Sequence, residues 1–382
     1  MAGSWRPAGV RPPSPWVTLS LLVAFALLAM PGVPARGAVL HLFIVGGLLA
    51  ASFRWPVTRL AVVALVVAGI DLRMAQAGTG SDVLVVTRAA IDLALSGGNP
   101  YGIGYPQSVP PGAPFPYGPL ALLWYLPPVP ALLIELLASL LILGALALRG
   151  RMLGLALYAV APVLLITAGD GSNDTSLGLL LLIGLVLLAR KPMLGAFIVG
   201  LAVAFKPTAA AWLPPVVGWA GAAGLLSAAA GAGLFWLPAV VMWGLQPVLA
   251  SIGGAATLHE TAYYSLAYAI ERFGVELPKG FYALLAMASG ALLATISIFR
   301  VRSADGVIGW GALVFLITLF GGFWSTFAYF AAVAPIVCWR LDGWLGHGDS
   351  RVRWPRDPVG RLEAWLDDRW PAVESGTQRR FQ

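Results

Sequence analysis

Residues 131–148 read ALLIELLASLLILGALAL, an apolar run with Glu135 as its one ionisable side chain and no proline. Its length matches the roughly 20 residues that a helix needs to cross the hydrocarbon core of a bilayer. No water meets an exposed amide in that core, so the backbone must bond to itself, as a helix or a closed barrel. Barrel strands alternate apolar and polar residues over short segments, and this run is continuous. The same texture returns at residues 17–34, 38–53, 58–72, 152–168, 175–189, 193–206, 208–222, 223–240, 280–299, 306–324 and 326–339. The sequence therefore predicts an all-α integral membrane protein, a polytopic helical bundle of about twelve spans.

Composition agrees. The 382 residues are 59% hydrophobic and 11% charged, whereas soluble domains keep about 25% charged to meet water. A net charge of +7 and a pI near 9.8 invite a nucleic-acid reading. The basic residues fall instead in pairs between apolar runs: Arg54 with Arg59, Arg149 with Arg151, Arg190 with Lys191, Arg300 with Arg302. Such spacing marks the cytoplasmic side of a membrane protein rather than a binding patch, so no nucleic-acid partner is expected. Both termini then lie inside, while Asp71, Asp82, Asp92, Asp170, Asp174, Glu260 and Glu271 fall outside. Lysine is scarce beside arginine, as in GC-rich genomes, and the expected location is a bacterial plasma membrane. Cys338 is the only cysteine, which excludes a disulfide framework and a cysteine metal cage.

Residues 1–340 read as one transmembrane domain and 341–382 as a polar cytoplasmic tail. In the tail Leu362, Trp365, Leu366 and Trp370 share a helical face suited to the inner membrane surface. Residues 1–35 have the outline of a signal peptide ending at Val33-Pro34-Ala35, and are read here as the first span. Residues 118–130, GPLALLWYLPPVP, are apolar but too short to cross, and three prolines end them. They are read as re-entrant or interfacial. The outer stretch 73–117 opens with a short interfacial helix, Ser81 to Leu95, with Arg88 and Asp92 four apart and Gly97-Gly98 as its stop. The rest of that stretch is dense in proline, glycine and aromatics, hence stiff and extended. A second outer stretch, 244–279, carries His259, Glu260, Tyr264 and a short helix ending at Glu271-Arg272.

The polar residues each have a bland and a sharp reading. Asp82 opens its helix, where a carboxylate is held ionised and can take a proton, or simply caps the helix. Asp71 reads as an interfacial charge paired with Arg73. Asp170, Asn173 and Asp174 in Gly169-Asp170-Gly171-Ser172-Asn173-Asp174 suit a tight turn. The same oxygens can bind sugar hydroxyls or a divalent cation. Lys206, at the outer end of an apolar hairpin and before Pro207, either snorkels to headgroups or holds an anion such as phosphate. Glu135 is its nearest candidate partner. His259, beside Glu260, is an ordinary solvated histidine or a proton-transfer group. Tyr101, Tyr105, Tyr117, Trp124 and Tyr125 form an interface belt or platforms for sugar rings. No phosphate-binding loop, zinc-protease motif or dinucleotide fingerprint occurs.

Taken together, Asp82, the helix after it, Gly97-Gly98-Asn99-Pro100-Tyr101 and Phe115-Pro116-Tyr117-Gly118-Pro119-Leu120 resemble the first outer loop of GT-C membrane glycosyltransferases. The resemblance is strongest to glycosyltransferase family 87, which includes polyprenyl-phosphate-mannose-dependent mannosyltransferases. The stretch Gly195 to Lys206-Pro207 resembles that family's glycine-rich span ending in Lys-Pro. Tyr264-Ser265-Leu266 and the span from Tyr329 to Pro335 resemble later elements. Two departures stand out. Three spans precede the acidic loop here, where relatives often have one, and Gly169-Asp170 stands where many carry Gly-Gln.

The resemblance implies a hexosyltransferase with a GT-C-like fold and outer-face interfacial helices. It would move a hexose, expected to be mannose, from a polyprenyl-phosphate donor to a lipid or glycan acceptor of the cell envelope, with inversion. Asp82 would be the base, and Lys206 with Arg88 would meet the departing phosphate. Asp71, Asn99, Tyr101, Tyr117, Asp170, Asn173 and His259 would bind substrate. No cofactor or metal is expected. The alternative is a transporter or flippase of a lipid-linked sugar, which predicts inverted repeats and broken helices at mid-membrane. No repeat is visible in the sequence.

Overall fold

The computed structural model describes residues 59–78, 81–262 and 264–344. The expected spans 17–34 and 38–53, the possible signal peptide and the tail beyond Trp344 lie outside the described residues. What is described is helical but for one two-residue ladder. Helices α1 (Arg59–Ala75) and α2 (Asp82–Leu95) are followed by β1 (Gly104–Tyr105) and β2 (Ala113–Pro114), paired antiparallel with Gly104 opposite Pro114. Then come α3 (Pro119–Trp124), α4 (Ala131–Leu148), α5 (Met152–Val160), α6 (Pro162–Gly169), α7 (Asp174–Leu188) and α8 (Pro192–Phe205). A 3-10 turn (Pro207–Trp212) leads to α9 (Leu213–Trp243), α10 (Leu245–Leu258), α11 (Leu266–Glu271), α12 (Lys279–Arg300), α13 (Ala304–Phe320) and α14 (Tyr329–Trp344).

Among the described residues, three helical stretches are long and apolar enough to cross a membrane: Ala131–Leu148, Pro207–Trp243 and Lys279–Arg300. A fourth span arises if α6 and α7, bent by 111° at their junction, are counted as one. Helices α8 and α13 are apolar but shorter. Helix α3 is six residues long, in keeping with a segment that enters the apolar layer without crossing it.

Where the chain departs from the expected spans, a backbone reason is visible. The run 152–168 is cut into α5 and α6 because Pro162 has no N–H to offer the carbonyl of Tyr158. Arg73 fills the gap. Its Nη2 donates to Tyr158 O at 2.7 Å and its Nη1 to Gly69 O at 2.8 Å and Ala159 O at 3.3 Å. The guanidinium also lies 4.7 Å from the Tyr158 ring centre. Arg73 is therefore fully buried while Asp71 is exposed, which corrects the expected Asp71–Arg73 interfacial pair.

The expected division of 208–240 into spans 208–222 and 223–240 agrees with the structure, where the chain reverses without loop residues at Gly221, whose φ of +64° favours glycine. Before the break, Gly218 packs on Ser297 and Ile298, and Trp219 Nε1 donates to Leu188 O at 3.4 Å. After it, Ser227 Oγ donates to Met193 O at 2.7 Å, Gly231 packs on Phe197, and Trp243 reaches Asn99. The chain thus runs to one end of the bundle and back, alongside α8. The stretch 244–279 holds α10 as well as the expected short helix. Pro247 in α10 packs on Gly102 of the proline-rich loop.

The two ends of the bundle differ. At one, Arg149 stacks on Trp339 at 5.2 Å, Arg340 pairs with Asp305, and Asp342 accepts the N–H groups of Leu153 and Gly154 at 3.1 and 3.0 Å. The other end gathers the loops 96–118, 169–173 and 321–328 with the start of α2. It holds the candidate site.

Candidate functional site

Helix α2 starts where expected. Ser81 is its N-cap, accepting the Val83 N–H at 3.2 Å, and Asp82 is its first residue. The Asp82 side chain does not cap the helix. Its Oδ2 instead accepts the backbone N–H of Val109 at 2.6 Å, across the loop. That loop is knit by its own bonds: Ser108 Oγ donates to the carbonyls of Tyr105 and Pro110 and accepts from Ala113 N–H. A carboxylate so held keeps one oxygen for another partner.

Lys206 is buried, 6% exposed. Its Nζ donates to Asp174 Oδ1 at 2.8 Å and to Asn173 Oδ1 at 2.9 Å. The rings of Tyr117 and Tyr329 lie 5.4 and 5.3 Å away on the ammonium, within cation–π range. Helices α7 and α8 form a hairpin of 15 and 14 residues, so the first residue of one meets the residue after the last of the other. Lys206 therefore pairs with Asp174, which corrects the expectation that Glu135 was its partner. Glu135 is also fully buried but turns away. It accepts from Tyr125 OH at 2.5 Å, from Ser176 N–H at 3.1 Å and from the Ser176 hydroxyl. The start of α7 thus serves both groups, its Asp174 carboxylate accepting from Lys206 and its Ser176 amide donating to Glu135.

The remaining wall comes from His259, stacked on Trp324 with ring centres 4.1 Å apart. Trp324 in turn meets Tyr329 edge-on at 6.0 Å. Burial holds the His259 imidazole below its ordinary value, Asp82 pulls it up, and Lys279 pushes it down. Burial lifts the Tyr117 phenol well above its ordinary value, and Asp174 and Asp82 lift it further. Asp82 is thus within electrostatic reach of both His259 and Tyr117. Asp170 binds the turn together. Its carbonyl accepts from Ser81 N–H at 2.8 Å and its carboxylate from Ser172 N–H at 2.8 Å. Burial pushes its carboxyl up to about 6.

Of the expected site residues, Asp82, Tyr117, Asn173, Lys206 and His259 come together, with Asp170 supporting them from the turn. Asn99 and Tyr101 serve the loop itself. Asn99 accepts from Tyr101 N–H at 2.9 Å and donates to Trp243 O at 3.0 Å, while Tyr101 OH donates to Tyr117 O at 3.2 Å. Arg88 points elsewhere, 3.3 Å from Asp92 on the exposed face of α2. Asp71 sits exposed on α1. Sequence reasoning missed Tyr329 and Trp324, which reach the site only through the fold. It read Asp174 as a turn residue or an oxygen ligand for sugar or cation, although the hairpin lengths could have paired it with Lys206. Among the described residues no group of three or more His, Cys, Asp or Glu is placed to hold a metal. Searched against protein-family models, characterised proteins and solved structures, the chain matches none.

Proposed function

We propose that this chain is a membrane glycosyltransferase of the GT-C type, spanning the bilayer about twelve times, which transfers a hexose from a polyprenyl-phosphate donor to a lipid or glycan acceptor. Mannose is the expected sugar on the resemblance. The observation that carries the reading is the presence, at one end of the bundle and about the same tyrosine, Tyr117, of a half-buried carboxylate and a buried lysine. Asp82 has one oxygen tied to Val109, and the Lys206 ammonium lies against the rings of Tyr117 and Tyr329. In this reading Asp82 takes the proton of the acceptor hydroxyl as that oxygen attacks the anomeric carbon. General-base help of this kind contributes roughly 10²–10⁴ in rate. The transition state resembles an oxocarbenium ion, and in-line attack inverts the centre. Lys206 meets the leaving phosphate, where a fixed positive charge counts most. His259 on Trp324 and Tyr117 offer flat faces to the sugar. Arg88 has no part in it.

The test is direct. Purified protein given radiolabelled polyprenyl-phosphate mannose and a cell-envelope lipid extract should yield a labelled lipid or glycan, and Asp82→Asn should abolish it. Label that never leaves the donor, across several donor sugars, would sink the proposal. A second reading has one observation behind it: helix breaks at Pro162, at residues 170–173, at Lys206 and at Gly221, of the sort found in transporters. Proteoliposomes loaded with the same donor separate the two. Movement of intact donor between leaflets without transfer favours a flippase.

A further inference from the structure

The seat around Lys206 has a feature that transfer alone does not require. An ammonium carries three N–H donors, and two of them go to Asp174 and Asn173. Because an ammonium only donates, the Asn173 amide must turn its oxygen to Lys206, which fixes the place of Nδ2. That Nδ2 is buried and meets no acceptor, and Asn173 itself is 0% exposed. A buried amide donor left unpaired is costly. An orphan donor and a spare ammonium N–H thus share one neighbourhood beside Tyr117 and Tyr329. What such a place accepts is an anionic oxygen.

The seat also holds a negative charge of its own. The Asp174 side chain is 2% exposed and 2.8 Å from the lysine, so the pair is neutral overall. A lone buried lysine would bind a phosphate more tightly the more negative it became. Beside Asp174 the second charge of a phosphate is repelled at nearly the distance at which Lys206 attracts it, in a medium that screens both poorly. The other titratable groups at this seat are Glu135, reached through Ser176, Tyr117, Tyr329, Asp82 beyond Tyr117, and His259 beyond Trp324, whose imidazole burial holds toward its neutral form. None is a second cation.

Resting on the transfer reading, we infer that Asp174 makes the Lys206–Asn173 seat selective for a phosphodiester over a phosphomonoester. The two species are the donor and the leaving product. During transfer the acceptor oxygen bonds to the anomeric carbon and the acceptor's proton goes to Asp82. The bond from that carbon to the phosphate oxygen breaks, and its electron pair stays on the phosphate. The lipid phosphate therefore leaves as a monoester, which carries close to two charges at neutral pH where the diester carries one. Asp174 is a specificity-determining residue that lets Lys206 stabilise the departing phosphate without trapping it.

Farnesyl phosphate and its methyl diester are suitable probes, titrated onto the detergent-solubilised full chain and measured by direct binding. In the wild type, the monoester's affinity relative to the diester should fall from about pH 5 to about pH 8, as its second proton leaves. A simple cationic seat gives the opposite trend. At the higher pH, Asp174→Asn should bind the monoester roughly tenfold or more tighter, and the diester less than about threefold tighter. Asp174→Glu should keep the wild-type ratio. A wild-type monoester that binds more tightly as it gains charge overturns the inference, even if Asp174→Asn fails to fold. So does an unchanged ratio in Asp174→Asn. Unaltered binding of both probes to Lys206→Met would overturn the phosphate reading itself, and this inference with it.

Discussion

At the scale of single residues, Asp82 and Lys206 carry different kinds of consequence. Asp82→Asn keeps an oxygen for the Val109 N–H but cannot take a proton. Turnover should fall by roughly 10²–10⁴ while the melting temperature barely moves. Near-normal turnover by this variant would put the base elsewhere. Lys206→Met is different, because it strands Asp174 in a buried site without a cation. That change should destabilise the protein by about 3–5 kcal/mol, as broken buried ion pairs do. Adding Asp174→Leu should recover much of the loss, since an apolar pair of similar volume is tolerated. Transfer should remain absent in the double variant. Thermal unfolding and initial rates on the same preparations would show whether stability and activity separate. The demand of Lys206 for an anion was legible in the sequence, since no bilayer offers a buried lysine anything better. Its partner was not, because Glu135 and Asp174 are both acids at that end of the chain's path. Only the hairpin register chooses between them.

At the scale of elements, the turn between α6 and α7 joins the two halves of the site. It offers the Asp170 carbonyl to the cap of α2, and Asn173 with Asp174 to Lys206. The Asp170 carboxyl is pushed by burial from an ordinary value near 3.8 to about 6. The folded state therefore holds this proton more tightly than the unfolded chain does. The resulting stability is full below about 3.8 and is lost as pH rises through about 6. Asp170→Asn should flatten the pH dependence of melting across that window, and an unaltered slope would assign it to other groups. Helix α3 is pinned as tightly at its start. Gly118 N–H donates to Phe205 O at 2.9 Å, and a Cβ on Gly118 would strike the carbonyl of Ala204. Gly118→Ala should push Tyr117 off Lys206, lowering transfer and melting temperature together. The sequence marked this segment as non-spanning through its length and prolines. That its glycine must touch α8 depends on a contact between distant segments, which local pattern does not encode.

At the scale of the whole molecule, the arginine pairs and the loop-end acids predict a sidedness. Cysteines at Gln107 and Arg302, both exposed, should label from opposite sides of sealed vesicles in a Cys338→Ala background. Labelling of both by an impermeant reagent from one side would contradict the topology. Most helices could be read directly, because apolar length is dictated by the bilayer and survives any packing. The breaks were harder to read. The run 152–168 reads as one span straight across Pro162, whereas the reversal at Gly221 lies next to the expected boundary between 208–222 and 223–240. Helix α10 was taken for loop because its glycines and proline hide its 14 residues.

Arg73 also bears on how the chain is assembled. In the proposed topology, a bilayer would receive this protein as it is synthesised, N-terminus first. The carbonyls that accept the Arg73 guanidinium lie 85 and 86 residues further along. Among the described residues, until α5 and α6 emerge the arginine has only Gly69 on its own helix to bond. A cation so poorly matched is expensive inside the apolar layer. Helix α1 should therefore wait at the interface and settle only when the break at Pro162 arrives to receive it, so the order of insertion need not follow the order of the sequence.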